Sequence, residues 1–136
     1  RPSVRKDYSD KRILLVEDYE INREIARELI GETGARIEEA CDGEEAVKMV
    51  SDSGEGYYDM ILMDIQMPQM DGYEATKIIR GMDREDVKKM SIIAMTANAF
   101  AEDAHAAIRA GMNAHFPNPI DMDALDKLLY QYLAAE

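Results

Sequence analysis

The 136-residue sequence predicts an α/β fold: a doubly wound, five-stranded parallel sheet with helices on both faces. Three observations carry that prediction. Short runs such as Ile13-Leu14-Leu15-Val16, Met60-Ile61-Leu62-Met63 and Ile92-Ile93-Ala94-Met95 are apolar throughout, as strands covered on both faces must be. Stretches with helical spacing of apolar residues separate these runs. Strand–helix alternation at this interval implies parallel strands joined by crossover helices.

Each element follows from local chemistry. Residues 1–11 are polar and basic without periodicity and read as a linker; residues 12–134 read as the folded domain. The first strand spans 12–17. Ile21, Ile25, Leu29 and Ile30 then recur at helical spacing before Gly34. Residues 36–41 form a more amphipathic second strand, and 43–51 a helix with Ala46, Val47 and Val50 on one face. Ser53-Gly54-Glu55-Gly56 is a loop. Residues 59–64 make the third strand, after which Asp71 caps a helix through Tyr73, Thr76 and Ile79. Residues 91–95 are the fourth strand. An alanine-rich helix over 100–110 follows, and Gly111 is placed to end it. Residues 114–116 form a short fifth strand, and Asp121 caps a last helix striped by Leu125, Leu128, Leu129, Tyr132 and Leu133. The flavodoxin-like strand order 2-1-3-4-5 is the expected one for five such units.

That order has a chemical consequence. In open parallel sheets, ligands gather at the carboxyl ends of the strands. The first strand ends in Glu17-Asp18, the third in Asp64, the fourth in Thr96-Ala97-Asn98 and the fifth in Pro117-Asn118-Pro119. The first and third strands are neighbours in this order, so Glu17, Asp18 and Asp64 converge. Asp64 taken alone could equally be a turn or cap residue; the acidic pair beside it favours a site. Two unit charges at 4 Å repel by roughly 1 kcal/mol in water and about 4 at a surface-like dielectric, so three carboxylates call for a cation or a proton. All-oxygen ligands with open positions suit Mg²⁺. An anionic oxygen beside Mg²⁺ is suited to attack phosphorus, and phosphoryl transfer asks mainly for positioning and charge neutralisation. The Thr96 hydroxyl can donate to a phosphoryl oxygen while also capping a helix.

Composition narrows the function further. There are 16 basic and 28 acidic residues, a net charge of −12, which disfavours a nucleic-acid surface and suits cations and basic partners. No apolar run reaches membrane-spanning length, so no membrane contact is expected of the domain. Cys41 is the lone cysteine; a reducing, cytoplasmic setting fits, and Cys41 is read as a small buried hydrophobe. His105 and His115 have no paired acid in sequence and are read as structural. A P-loop is excluded by the missing GxxxxGK[ST] pattern.

Val16-Glu17-Asp18, Leu62-Met63-Asp64-Ile65-Gln66-Met67-Pro68-Gln69-Met70-Asp71-Gly72, Met95-Thr96-Ala97, Ala110-Gly111-Met112 and Pro119 together resemble the response-regulator receiver domain over residues 12–134. The resemblance implies a phosphoacceptor signalling domain of a two-component phosphorelay, which takes a phosphoryl group from phosphohistidine onto Asp64 and catalyses its own transfer. It implies Mg²⁺ held by Asp18, Asp64, the backbone carbonyl of Gln66 and, through water, Glu17. It implies phosphoryl sensing by Thr96, and a histidine kinase or histidine phosphotransfer domain as partner. Ile21-Asn22-Arg23-Glu24-Ile25 and Gly111-Met112-Asn113-Ala114-His115 resemble receivers of hybrid sensor histidine kinases. Two positions depart from the pattern: Asn118 stands where the family has Lys, and His115 at its aromatic switch position. Asn118 motivates an alternative, a pseudo-receiver that serves as an interaction module without phosphorylation.

Overall fold

The computed structural model describes residues 7–96, 101–117 and 120–133, with 101–104 described by backbone alone. Five strands alternate with helices: β1 (Arg12–Val16), α1 (Glu20–Gly31), β2 (Arg36–Ala40), α2 (Gly43–Asp52), β3 (Met60–Asp64), α3 (Gly72–Arg80), α4 (Glu85–Lys89), β4 (Ser91–Thr96), α5 (Ala101–Ala110), β5 (Ala114–Pro117) and α6 (Met122–Leu133). The sheet order is β2-β1-β3-β4-β5 and every neighbouring pair is parallel, as the alternation requires.

Strand residues alternate between two apolar layers. Leu14, Val16, Ile61, Met63, Ile92 and Ala94 pack with residues of α2, α3, α4 and α5. Ile13, Leu15, Met60, Leu62, Ile93 and Met95 pack with residues of α1 and α6. Each fully buried Leu, Ile or Met stabilises the fold by about 1.5–3 kcal/mol, which makes the central strands a rigid platform for what their ends carry. Caps fix where the helices begin. Asp42 accepts from the Glu45 N–H at 2.8 Å, Asp71 from the Glu74 N–H at 2.9 Å and Asp121 from the Ala124 N–H at 3.1 Å. Gly111, at φ +108°, ends α5.

Three features differ from the sequence expectation or add to it. α4 is a five-residue helix within a segment given no element from sequence. Val87 anchors it in the core, and the Arg84 guanidinium holds it to the end of α2 by donating to the Val50 carbonyl at 2.8 Å and to Asp86 at 2.7 Å. In α1 the apolar stripe gives the helix, but among its members only Ile30 is buried; Ile21 and Ile25 face solvent. Tyr8, within the segment of linker-like composition, is 1% exposed, packs in the layer beneath α1 and donates its N–H to the Thr33 carbonyl at 2.9 Å.

Candidate functional site

The register of β1 and β3 pairs Val16 with Met63, so the next residues, Glu17 and Asp64, stand side by side where the two strands end. Glu17, Asp18 and Asp64 each offer a carboxylate oxygen, and these oxygens lie within 4.8 Å of one another; among the described residues this is the one such cluster of potential metal ligands. Glu17 is buried, Asp64 half-buried and Asp18 exposed, which grades the cluster from the core to water.

The backbone around the cluster is fixed from several sides. The Glu17 N–H donates to Ala40 at 3.1 Å, and the Glu17 carboxylate accepts from the Tyr19 N–H at 3.2 Å. The Glu17 carbonyl accepts from Arg23 Nη1 at 2.8 Å. Asp64 Oδ1 accepts from the Gln66 N–H at 3.3 Å. The loop after β3 turns sharply: Gln69 is left-handed at φ 70°, and Gly72 donates to the Ile65 carbonyl at 2.9 Å. Two glycines let helices crowd this loop. A Cβ on Gly72 would lie 2.3 Å from the Asp64 carbonyl oxygen, and one on Gly43 would lie 2.5 Å from the Met70 carbonyl oxygen. An open hollow of about 490 Å³, lined by Ile65, Gln66, Met67, Pro68, Asp71 and Tyr73, adjoins the loop.

Electrostatics match the geometry. Burial first, then the Glu17 charge, pushes the Asp64 carboxyl up to about 8, with hydrogen bonds and charge from Asp18 adding to it. A carboxyl so raised keeps its proton to escape burial and repulsion, unless a cation offsets the negative charge in its place. The donors are all oxygen, and carboxylates of three grades of exposure leave room for water, the set that Mg²⁺ prefers. The acidic corner therefore fits a hydrated Mg²⁺.

The remaining sequence candidates fall as follows. Asp64 pairs in register with Met95, which puts half-buried Thr96 one residue beyond it on the adjacent strand. Gln66 hydrogen-bonds Asp64 and keeps its side chain exposed. Asn118 lies outside the described residues. His115 is exposed on β5 and His105 exposed on α5, and neither joins the acidic cluster. Cys41 corrects the expectation of a buried residue: it is exposed just beyond β2. Burial at its local surface, ahead of the charge and hydrogen bond of Glu45, raises its thiol, so it is not an activated thiolate. Arg23 was missed as part of the site. Its only signal in sequence is its distance from Glu17, which lets the first turn of a helix reach back to the strand end.

Comparison with known proteins adds independent support. Residues 13–130 match the family model of the response regulator receiver domain. The chain is 40% identical over 126 residues to the two-component response regulator ORR41 of Oryza sativa subsp. japonica, covering 91% of this chain and 95% of that protein. It is similar to the receiver domain of the sensor histidine kinase PA1611 from Pseudomonas aeruginosa, a structure with magnesium coordinated in the active-site cleft: 34% identity, TM-score 0.82, covering 92% of this chain and 98% of that one. It is also similar to a chain in the co-crystal structure of the Saccharomyces cerevisiae phosphotransfer protein Ypd1 with the receiver domain of Ssk1, at 29% identity and TM-score 0.78, covering 90% of this chain and 88% of that one. Against the histidine kinases it matches, the chain spans only 6–15% of their length.

Proposed function

The chain belongs to the response regulator receiver family, the receivers of two-component phosphorelays, and from that premise we propose that Asp64 is its phosphoacceptor. The observation that carries this assignment is the position of Asp64: at the end of a buried central strand, with carboxylate oxygens of Glu17 and Asp18 within 4.8 Å. An Asp64 oxygen attacks the phosphorus of a phosphohistidine. A P–O bond forms as the P–N bond breaks, and the electron pair returns to the imidazole nitrogen, which takes up a proton. Asp18, Asp64, the Gln66 carbonyl and, through water, Glu17 would hold Mg²⁺. When bound, it supplies charge neutralisation for the phosphoryl oxygens. Thr96, one residue beyond Asp64 on the next strand, would donate its hydroxyl to the acylphosphate.

The donor protein must bring its histidine to this strand edge. Ile21 and Ile25, one turn apart on α1 and 55% and 49% exposed, follow Tyr19, 56% exposed, whose N–H bonds Glu17; together they make an apolar strip in this reading. Exposed large apolar residues grouped next to a site suit a protein partner, and we assign this strip to a histidine kinase or phosphotransfer domain. No helix among the described residues is long and apolar enough to cross a membrane.

The test is incubation with phosphoramidate, a small P–N phosphodonor, with and without Mg²⁺, followed by intact mass. Wild type should gain one phosphoryl group only with Mg²⁺, and Asp64→Asn none. Equal labelling of Asp64→Asn would reject the assignment.

A further inference from the structure

Arg23 stands behind the acidic corner. In the first turn of α1, its Nη1 donates to the Glu17 carbonyl at 2.8 Å, and its Nε lies 3.3 Å from Glu39 Oε1. Its side chain is only 16% exposed, so these are partly desolvated, charge-assisted contacts. Glu39 sits on β2 and is also gripped by Arg27 Nη1 at 2.9 Å. One guanidinium thus bridges β2 and the end of β1.

The carbonyl that Arg23 holds belongs to the peptide joining Glu17 to Asp18. Rotation of that peptide changes ψ of Glu17 and φ of Asp18 together. Both carboxylates would then leave the backbone in new directions. The preceding peptide is held as well, by the bond from the Glu17 N–H to Ala40 at 3.1 Å. With both peptides pinned, φ and ψ of Glu17 and φ of Asp18 are held.

We propose that Arg23 is a positioning residue of the phosphoacceptor site: it locks the Glu17–Asp18 peptide so that both carboxylates meet Asp64 around one divalent cation. The inference rests on the reading of this corner as a Mg²⁺ site. A rival account makes Arg23 a mere charge offset for the three acids. The two accounts differ in sign. A charge offset competes with a divalent cation, so its removal tightens Mg²⁺ binding. A positioning group pre-organises the ligands, so its removal loosens it.

Mg²⁺ alone is titrated into the whole chain, followed by backbone amide shifts in NMR, for wild type, Arg23→Met, Arg23→Lys, Arg27→Met and Asp18→Asn. Arg23→Met should bind Mg²⁺ about tenfold more weakly, the low end for a group that holds a ligand from behind. Arg23→Lys should recover part of the loss. Arg27→Met removes the same charge one turn along and should bind as well as wild type or better. At saturating Mg²⁺ the rate of phosphorylation of Arg23→Met by phosphoramidate should return near that of wild type, a split that general destabilisation does not produce. Should Arg23→Met fail to fold, Glu39→Gln carries the test through the other end of the bridge, with a smaller loss of affinity expected. Mg²⁺ affinity in Arg23→Met (or in Glu39→Gln, if that variant is used) equal to or above wild type overturns the proposal, provided wild type binds and Asp18→Asn does not. If wild type and Asp18→Asn bind alike, the metal reading falls, and the role of Arg23 with it.

Discussion

Arg80 gives an Nη2 proton to Asn113 Oδ1 at 2.8 Å, and that same oxygen accepts the Ile92 N–H at 2.8 Å. One side-chain amide therefore ties α3 to the start of β4 and to the turn before β5. Arg80 goes further: Nη1 donates to the Val87 and Met90 carbonyls at 2.8 and 2.7 Å, and Nε to the Gly111 carbonyl at 2.9 Å. Burial lowers its pKa, but a guanidinium keeps its charge. Arg80→Met strands several partly buried acceptors at once. It should destabilise the fold by about 2–4 kcal/mol in urea denaturation, with the slope m unchanged. Arg80→Lys should restore little, since one ammonium cannot reach acceptors so dispersed. A loss below about 1 kcal/mol in Arg80→Met would show that these contacts matter less than their number suggests.

Asp64 makes stability depend on pH with an unusual sign. Its folded-state pKa, about 8, lies above its ordinary 3.8. Between those values the folded chain holds a proton that the unfolded chain has released, so stability falls as pH rises through the window. In EDTA, the melting temperature of wild type should drop between pH 5 and pH 8 relative to Asp64→Asn, which has no proton to lose. Millimolar Mg²⁺ should remove most of that difference by neutralising the cluster. Parallel pH profiles for the two proteins in EDTA would contradict the raised carboxyl.

Gln69 occupies the left-handed region at φ 70°, where an L-residue with a Cβ pays roughly 1 kcal/mol. Gln69→Asn should gain about 0.5 kcal/mol, because Asn tolerates this conformation. Gln69→Val should lose about 1–2 kcal/mol, since a β-branched side chain is worst there. Chemical denaturation of both variants checks the order, and Val more stable than Asn would refute it.

Asn118 lies outside the described residues, so its prediction rests on charge alone. A charge-assisted hydrogen bond contributes about 1.5–3 kcal/mol, against roughly 0.5–1.5 for a neutral one. Asn118→Lys should therefore raise the yield or lifetime of the phosphorylated state by about tenfold. The measurement is phosphoramidate labelling and decay of both proteins in Mg²⁺. Labelling of wild type at all shows that the uncharged residue permits the chemistry; identical yields and decays would mean that position 118 does not touch the phosphoryl group.

The sheet and the acidic site were legible in the sequence for the same reason: strands covered on both faces leave continuous apolar runs, and each run ends in the residue the sheet delivers to its edge. The parts that stayed hidden are those without a period. Val87 is a single apolar residue among charges, too short a signal to announce α4, which depends on Arg84 reaching back to α2. Tyr8 is one aromatic in a polar segment, and only the apolar layer beneath α1 gives it a reason to be buried. Ile21 and Ile25 obey the helical spacing and still face water, because periodicity places residues on one face without saying what that face meets. The role of Arg23 depends on a backbone carbonyl, a group every residue shares and no sequence pattern marks.

Gly43 and Gly72 bear on descent. Neither has a side chain to contribute to phosphoryl chemistry, yet a methyl group at either would press on the backbone that carries Asp64 and its loop. A lineage that keeps this backbone geometry would have to keep these two empty positions together with the aspartate. Gene variants that put alanine at 43 or 72 would be expected to disturb the corner around Asp64, although they alter none of its three carboxylates.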